Sequence, residues 1–496
     1  MSAAAVPKRC SFAENGPGGR DLQIPAAFLF AERKRTAMRN APLYDAAAAL
    51  SSANPVRFDM PGHHGKALPC FSAADWTALD CTEHQSTGNL FSGDDIIEEA
   101  ERLWARKWNF ENCLFLTGGS TEGVHIALHL CCRPGDRILV DRGSHRSLWN
   151  GLALLDADPI SVPRPWDRER ELPGPLNPET VEAAWARYPD ARALFVTSPT
   201  YYGIESDLSA LAETAHRHGG TLIVDAAHGA HYPWIGRRTP GEQGADIAVL
   251  SAHKTLPAPG QSALLMYSGF SSEQVRRVGR IYGSSSPSYI MMTAMDSVRN
   301  WLDHSGAYRD LTERLLPYVR NRLERETVFR IVPTDDPARL VLSAKNTGLS
   351  GFEILKQLEQ QNILIEMADL SHLVLIASCM DTESDFDRLI EALKRIRPVS
   401  ASSAPELPAP PELPTRVLPL RQAMFAEKTM REPADCAGRI CAEDVTPYPP
   451  GIPVLAPGER IEKKHLDYLR KIGYNESIAI VDRDSRRNTN LKSEEF

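Results

Sequence analysis

The sequence predicts an α/β fold with a mostly parallel sheet. Between residues 42 and 299, segments with helical periodicity alternate with short β-rich runs. One unit can be followed completely, because residues 193–197 are typical of a buried strand, residues 207–218 of an amphipathic helix and residues 221–225 of the next strand. The helix of such a unit connects two parallel strands of one sheet, and this crossover connection is right-handed by default.

The composition excludes several classes of protein. The 496 residues include 56 Lys and Arg against 64 Asp and Glu, a formal net charge of −8, which disfavours nucleic-acid binding through bulk positive charge. The longest apolar runs, such as residues 373–377, are far shorter than the ~18 residues of a membrane span, and the N-terminus lacks the apolar part of a secretion signal. Nine cysteines without a Cys-x-x-Cys pair argue against a disulfide framework and a structural zinc site. We therefore expect a cytoplasmic protein with no membrane or nucleic-acid partner and no metal.

Shifts in composition divide the chain into six segments. Helical periodicity at residues 351–361 and 383–396, with β-rich runs at 363–365 and 373–377, predicts a small α+β domain. Five prolines within fourteen residues then mark a semi-rigid extended linker, and the last residues are polar enough to be disordered. The predicted segments are an N-terminal arm (1–41), a large cofactor-binding domain (42–305), the small α+β domain (306–400), the linker (401–414), a C-terminal domain (415–482) and a polar tail (483–496).

A lysine follows the most informative of the predicted strands. Residues 247–250 have the composition of a buried strand, and Ser251, His253 and Lys254 come directly after it, at the carboxyl end where open α/β sheets bind ligands. A lysine held there is partly desolvated, which lowers its pKa and makes the neutral amine available to form a Schiff base. Taken alone, such a residue is more often an ordinary exposed lysine.

An acidic residue ends the preceding strand. Asp225 is the last residue of that apolar run, and His228 follows three residues later. A carboxylate at this place can hold a proton on a heterocyclic nitrogen, which an enzyme that uses pyridoxal 5'-phosphate (PLP) requires. The same residue could instead cap a helix.

Two further strand ends carry candidate cofactor-binding groups. Gly119, Ser120 and Thr121 combine free backbone N–H groups with two hydroxyls at a helix N-terminus, which suits a phosphate, although the spacing is not that of a P-loop. His145 follows the β-rich run 138–140 and could stack on a flat cofactor ring, or be a solvated loop residue. Each signal is weak alone. Together the four strand ends supply a phosphate site, a stacking group, an acid and a lysine in the order that fold-type I PLP enzymes use.

These residues lie in longer blocks that resemble the Orn/Lys/Arg decarboxylase family, group III of the fold-type I PLP enzymes. The resemblance covers about residues 42–459. Few other families join such a lysine block to a distal Tyr-Pro-Pro-Gly-Ile-Pro block. The matching blocks are residues 61–63, 112–121, 144–147, 198–203, 225–229, 244–246, 251–256, 261, 285–289, 296, 447–453 and 457–459.

The resemblance implies a fold-type I PLP-dependent transferase fold, PLP as the cofactor, and a role for each candidate. Lys254 would be the Schiff-base lysine, Asp225 the partner of the pyridinium nitrogen and His145 the ring-stacking group. Ser285 and Ser286 would complete the site of a neighbouring subunit, which implies a homodimer or a dimer of dimers. The phosphate would be held by Ser120, Thr121, Ser251 and His253, with Gly119 and His228 as further cofactor-binding residues.

The activity implied is decarboxylation of a basic L-amino acid, namely arginine, lysine or ornithine, with arginine marginally favoured, in polyamine biosynthesis. His253 or Lys254 would return the proton to Cα after CO2 has left. Glu459 is one candidate to bind the distal cation of the substrate, and it could instead cap the segment that follows. The alternatives are a fold-type I aminotransferase or another PLP lyase, which share the four strand-end groups, and a non-enzymatic regulator with the same fold.

The chain departs from the family pattern at three places. Ala226 stands where an acidic residue is usual, Gly260 where threonine is usual, and residues 61–66 read Pro-Gly-His-His-Gly-Lys in place of Pro-Gly-His-Lys. None of these changes removes a cofactor-binding group, so we expect them to bear on substrate choice. Only 60 residues precede Pro61, which predicts the short form without an N-terminal wing and disfavours a wing-built decamer.

Overall fold

The structure is a computed structural model that describes residues 41–71, 76–93, 96–399, 406–447 and 452–482. The N-terminal arm apart from its last residue, residues 401–405 of the linker and the polar tail lie outside these ranges. The chain divides into two compact units at the boundary between Pro55 and Val56. Of the first unit the structure describes one helix, α1 (Pro42–Ala53), which begins with proline and ends at Asn54 in the left-handed conformation (φ 46°).

A seven-stranded sheet forms the centre of the second unit. Its strands are β2 (Asn112–Leu116), β3 (Arg137–Asp141), β4 (Asp158–Val162), β7 (Ala193–Thr197), β8 (Thr221–Asp225), β9 (Ile247–Leu250) and β10 (Ala263–Tyr267). They pair in the order β2-β10-β9-β8-β7-β3-β4, and only β10 runs antiparallel to its neighbours. The predicted mostly parallel sheet is therefore confirmed, and all its parallel strands present their carboxyl ends at one edge.

Helices cover this sheet. Every residue of β7 and of β10 is buried, so both faces of the sheet are packed against other elements. The described helices between residues 76 and 305 are α2 (Trp76–Leu79), which has no buried residue, α3 (Ile96–Trp108), α4 (Gly119–Cys131), α5 (Arg146–Leu155), α6 (Pro178–Arg187), α7 (Leu208–Arg217), α8 (Ala252–Thr255), α9 (Ser272–Tyr282) and α10 (Tyr289–Ser305). The longer ones have amphipathic sequences. Side chains cap five of them, namely His145 before α5, Asn177 before α6, Asp207 before α7, Ser271 before α9 and Ser288 before α10.

A four-stranded antiparallel sheet follows the central sheet in sequence. Its strands, in the order β11-β12-β15-β14, are β11 (Arg330–Ile331), β12 (Arg339–Ser343), β15 (His372–Ile376) and β14 (Met367–Ala368). Its helices are α11 (Ala307–Asp310), α12 (Leu316–Glu326), α13 (Gly351–Gln360) and α14 (Glu383–Lys394). The sequence pattern indicated α13 and α14, which begin with capping boxes at Ser350 and Thr382, but not α11 and α12.

One strand expected in this small sheet pairs elsewhere. The β-rich run at residues 363–365 is β13 (Ile363–Ile365), and it pairs in parallel with β1 (Val56–Phe58), which precedes the strands of the central sheet in sequence. The small-domain region is thus tied to the beginning of the second unit.

The C-terminal segment has a core of its own. Its elements are α15 (Leu420–Met424), β16 (Lys428–Arg431), α16 (Lys463–Lys471) and β17 (Ile478–Val481), with β16 and β17 antiparallel. A short hairpin of β5 (Trp166–Asp167) and β6 (Leu172–Pro173) completes the described elements. Among the described residues, no helix is both long and apolar enough to cross a bilayer.

Candidate active site

The carboxyl ends of four strands of the central sheet carry the residues singled out in the sequence. They are the end of β2, the end of β3 and the ends of the adjacent strands β8 and β9. The structure brings four of the candidates close enough to Lys254 for electrostatic interaction, namely His145, Asp225, His228 and His253.

Lys254 lies on the single helical turn α8, directly after β9. Its side chain is half-buried, and its Nζ lies 3.1 Å from Nε2 of His228. Burial lowers the pKa of Lys254, although the carboxylates of Asp225 and Glu366 act in the opposite direction. The position therefore favours a neutral, nucleophilic amine.

Asp225 is the last residue of β8 and is only 5% exposed. Its Oδ1 accepts a hydrogen bond from the backbone N–H of Ala227 at 3.1 Å. Burial raises the pKa of Asp225, and the charge of Lys254 opposes this shift. A buried carboxylate of this kind accepts a strong hydrogen bond from a protonated ring nitrogen.

His145 caps the N-terminus of α5. Its Nδ1 accepts a hydrogen bond from the backbone N–H of Ser147 at 3.2 Å, so the neutral ring carries its proton on Nε2. Reduced hydration of the ring, followed by the charge of Lys254, lowers the pKa of His145 to about 4. The residue is nevertheless exposed, so an uncharged flat ring is available for stacking.

The N-terminus of α4 forms the predicted anion site. The helix begins at Gly119, which has a left-handed φ of 79°. Ser120 is half-buried and Thr121 is exposed, and both lie in the first turn, where backbone N–H groups have no partner within the helix. The Oε2 of Glu122 accepts the N–H of Gly118 at 2.6 Å, which fixes the entry to the helix.

Buried hydroxyls without partners lie on the neighbouring strand ends. Among the described residues, Oγ of Ser251 and Oγ of Ser262 are buried and have no hydrogen-bond partner. The backbone of Ser262 accepts from the N–H of His253 at 3.2 Å, and Gln261 lies against Gly119. Unsatisfied hydroxyls beside a helix N-terminus fit the phosphate of the expected cofactor.

His253 follows Ser251 on the same turn as Lys254. Its Nδ1 lies 3.0 Å from the carbonyl oxygen of Ser262 and must donate to it, so Nε2 carries a free lone pair in the neutral ring. Burial lowers the pKa of His253. The ring can therefore accept or return a proton through Nε2.

Ser285 and Ser286 are not brought to this group of residues. They lie in the exposed turn between α9 and α10, where the N–H and hydroxyl of Ser286 bond to Oγ of Ser284 at 3.2 Å. No hydrogen bond links either serine to Lys254 among the described residues. Their role in the site of a second subunit stays a prediction.

Three residues of the site were missed in the sequence. Nη2 of Arg339, on β12, lies 3.4 Å from Nδ1 of His228. Glu366 accepts hydrogen bonds from the hydroxyl of Tyr201 and from the N–H of Met60, and the ring of Tyr201 lies 4.4 Å from that of His228. Tyr201 stands in the block at residues 198–203, but Arg339 and Glu366 follow no glycine-rich turn or strand-end motif.

Glu459 has a different role from the one considered for it. It is 2% exposed, and its two oxygens accept from Nη1 and Nη2 of Arg142 at 2.7 and 2.9 Å. Its Oε2 also accepts the N–H of Ala456 at 2.7 Å. The carboxylate is therefore engaged within the protein and joins the C-terminal segment to the end of β3, so it is not available to bind the distal cation of a substrate.

The loop at residues 61–66 packs against the turn that carries Lys254. The N–H of Gly62 donates to the carbonyl of His253 at 2.7 Å, and a Cβ at Gly62 would lie 2.6 Å from the carbonyl oxygen of Leu256, so only glycine fits. His64, which departs from the family pattern, forms a fully buried pair with Asp381 at 2.6 Å. The residue that differs from the family pattern, His64, is therefore held by its contact with the small-domain region.

The chain matches known proteins over most of its length. A family model described as the Orn/Lys/Arg decarboxylase major domain matches residues 41–333, and its C-terminal domain matches residues 422–477. An arginine decarboxylase of Bacillus subtilis is 30% identical over 457 residues, which are 87% of this chain and 93% of that protein. An arginine decarboxylase of Halalkalibacterium halodurans is 29% identical with the same coverage.

Solved structures share the fold. Lysine decarboxylase A of Pseudomonas aeruginosa has a TM-score of 0.69 at 17% identity, covering 89% of this chain and 82% of that chain. The lysine decarboxylase of Francisella novicida has a TM-score of 0.68 at 19% identity, covering 80% and 73%. A serine palmitoyltransferase of Sphingomonas wittichii has a TM-score of 0.54 at 15% identity, covering 71% and 96%.

Proposed function

The chain belongs to the Orn/Lys/Arg decarboxylase family and has the fold-type I fold of PLP enzymes, and from this premise we propose that it decarboxylates L-arginine with PLP as its cofactor. Decarboxylation of a basic amino acid is the activity of the family. Arginine is supported by the names of the relatives from Bacillus subtilis and Halalkalibacterium halodurans.

One observation carries the proposal. A half-buried lysine amine, Lys254, lies 3.1 Å from the buried imidazole of His228. It follows β9, the strand next to the one that ends in the buried carboxylate of Asp225. On the same edge of the sheet, Ser251 offers an unsatisfied buried hydroxyl, and the N-terminus of α4 offers backbone N–H groups without a partner in the helix. Amine, acid and anion site are the three features that hold PLP by its aldehyde, its ring nitrogen and its phosphate.

Each residue of the site has a separate role in the proposed reaction. Bound PLP supplies an aldehyde that takes up amines and a protonated ring that accepts the electron pair left when CO2 departs. Asp225 would hold the proton on the ring nitrogen, and the uncharged His145 would stack on the ring. His253 or the amine of Lys254 would hold or return a proton at Cα.

The electrostatics support a cationic substrate. Glu366 lies near enough to Lys254 to act on its pKa, and among the described residues no lysine or arginine lies within 4.0 Å of its carboxylate. An acidic group without a charged partner at the edge of the site favours a guanidinium or ammonium over a neutral side chain.

The assembly and location are part of the same proposal. We propose a homodimer in which Ser285 and Ser286 of one chain reach the phosphate site of the other, supported by the exposure of both serines. Function in the cytoplasm, in polyamine biosynthesis, is proposed from the family alone.

The decisive experiment is an activity screen. The purified protein is loaded with PLP and incubated with each of the twenty amino acids, and released CO2 and amine are quantified. We expect both products from arginine and little from neutral amino acids, with Lys254→Ala as the inactive control. Equal rates for neutral and basic amino acids, or no CO2 from any of them, would refute the proposal.

A second function is favoured by one observation. Fold-type I aminotransferases hold the substrate carboxylate with an arginine of the small domain, and Arg339 is a buried arginine beside the site. Incubating the loaded protein with an amino acid and a 2-oxo acid tests this function. Formation of a second amino acid without CO2 would establish transamination in place of decarboxylation.

A further inference from the structure

Arg339 is a buried guanidinium with very few partners. The residue is 1% exposed, and its Nε and Nη1 are buried without a hydrogen-bond partner among the described residues. The carboxylate of Asp336 lies 3.9 Å from its Nε, beyond hydrogen-bond distance. Burying a charge that is so poorly compensated is costly, which calls for a specific role.

The contact between Arg339 and His228 determines where the imidazole carries its proton. A guanidinium can only donate, so Nδ1 of His228, at 3.4 Å from Nη2, must be the acceptor. A neutral imidazole with a free lone pair on Nδ1 carries its hydrogen on Nε2. That atom lies 3.1 Å from Nζ of Lys254, so His228 donates to the lone pair of a neutral lysine amine.

Packing holds both side chains in place. Gly203, with a φ of 81°, lies so close to Arg339 that a Cβ there would be 2.9 Å from the Cβ of the arginine. The carbonyl of Gly203 accepts the N–H of Asp336 at 3.1 Å, and Asp336 in turn pairs with His231 at 3.0 Å. On the other side of His228, the ring of Tyr201 lies at 4.4 Å. The arginine therefore has one position from which to reach the imidazole.

We propose that Arg339 is a positioning residue that holds His228 in its Nε2–H tautomer and thereby keeps the amine of Lys254 neutral and its lone pair oriented. The inference rests on the assignment of Lys254 as the reactive amine under Proposed function. It explains why a small-domain residue of this charge is buried next to a lysine.

The surrounding charges are compatible with this role. Burial lowers the pKa of His228 well below 6.5, and the charges of Lys254 and Arg339 act in the same direction. Burial also lowers the pKa of Lys254, and Arg339 contributes to that shift. The ionisable or charged groups that face Lys254 or His228 are His145, Asp225, His253, Arg339 and Glu366, with the phenol of Tyr201 against the imidazole.

The test measures the reactivity of one amine in the full-length, cofactor-free protein. Acetic anhydride labels only neutral amines, and mass spectrometry of the peptide that contains Lys254 gives its neutral fraction at each pH. Arg339→Met removes both the charge and the hydrogen-bond donor. We expect the neutral fraction of Lys254 at pH 7 to fall about tenfold in this variant, because a change of that size corresponds to the loss of one hydrogen bond. Arg339→Lys, which keeps the charge and a donor, should stay near the wild type.

Arg339→Gln separates the hydrogen bond from the charge, because its amide can still donate to Nδ1. We expect its neutral fraction to lie clearly above that of Arg339→Met. If Lys254 has the same neutral fraction in Arg339→Gln and Arg339→Met, then only the charge of Arg339 acts on the amine. That result would overturn the tautomer proposal. If Arg339→Met fails to fold, the same proposal requires Arg339→Gln to retain at least a third of the neutral fraction of Arg339→Lys.

A matched control removes another guanidinium from the same region. Arg320 donates to the carbonyls of Pro337 and Arg339 and makes no contact with His228. Arg320→Met should lower the melting temperature without changing the labelling of Lys254, and an equal change in both variants would reduce Arg339 to a structural residue. If Lys254 of the wild type is no more reactive than exposed lysines, the proposed function itself fails. If Lys254 is reactive in the wild type and its labelling is the same in the Arg339 variants, only this inference fails.

Discussion

Nε2 of His228 lies 3.1 Å from Nζ of Lys254, and this contact joins the ends of two neighbouring parallel strands. His228 follows β8 by three residues and Lys254 follows β9 by four. Burial lowers the pKa of both groups, which favours the neutral imidazole and shifts the lysine toward its neutral amine. The strand order therefore places an amine of lowered pKa close to the carboxylate of Asp225.

Replacing Lys254 with alanine should abolish turnover. No other described lysine lies at a strand end of the central sheet next to an anion site, so nothing can take over its amine. We expect the visible absorbance of lysine-bound cofactor to disappear together with CO2 release. Lys428→Ala, which removes a half-exposed lysine paired with Glu443, is the control and should keep both signals. Product formation by the Lys254 variant would assign the amine to another residue.

Asp225→Asn should leave PLP bound but slow the reaction severely. A neutral amide cannot keep the ring nitrogen protonated, and the loss of several kcal/mol of stabilisation corresponds to a rate lower by ~10³-fold or more. The measurements are bound PLP per chain and the rate of CO2 release at saturating substrate. A rate within threefold of the wild type would exclude this role for Asp225.

Glu459→Ala should destabilise the protein rather than alter substrate choice. It leaves the buried guanidinium of Arg142 without its carboxylate, and breaking such a pair costs about 3–5 kcal/mol. Urea unfolding measures the loss. Glu412→Ala removes the exposed partner of Lys464 and should leave the stability almost unchanged, because solvent screens such a pair. A change in the ratio of arginine to lysine turnover without lower stability would restore Glu459 as a substrate-binding residue.

The stability of the cofactor-free protein should fall as the pH drops below 6.5. Burial holds the pKa of His228 well below that value in the folded state, whereas the unfolded chain binds a proton near pH 6.5. The unfolded state therefore binds more protons between the two pKa values, and stability is lost as the pH falls through this window. Urea unfolding at pH 7.5 and pH 5 measures the loss, and it should be smaller in His228→Asn. An equal loss in the variant would show that His228 titrates normally in the folded state.

Mixing two inactive variants should restore activity if the sites are shared. One variant is Lys254→Ala, and the other carries bulky residues in place of Ser285 and Ser286. In a dimer related by two-fold symmetry, a hybrid contains one intact composite site, so partial activity should return. Subunit exchange is verified separately with tagged chains. Inactive mixtures that have demonstrably exchanged would mean that each chain builds its site alone.

Much of the large domain could be read from the sequence, because its signals are local. The run at residues 193–197 is entirely apolar apart from its last residue, and it forms β7 with the same bounds. Residues 221–225 likewise form β8, and residues 247–250 form β9. Since the carboxyl ends of parallel strands meet at one edge, the chemistry of those ends could be assembled without coordinates.

The sequence by itself determined the parallel sheet and the residues at or just after the carboxyl ends of its strands, Asp225 and Lys254 among them. Periodicity and strand-end polarity are properties of neighbouring residues. Only the tertiary structure decided that Glu459 is engaged with Arg142, and that Arg339 reaches His228 across 111 positions of the chain. Nothing near Arg339 in sequence distinguishes it from other arginines. Its role arises because β12 and the segment after β8 are brought together by folding, and contacts between such distant segments depend on packing that no local pattern encodes.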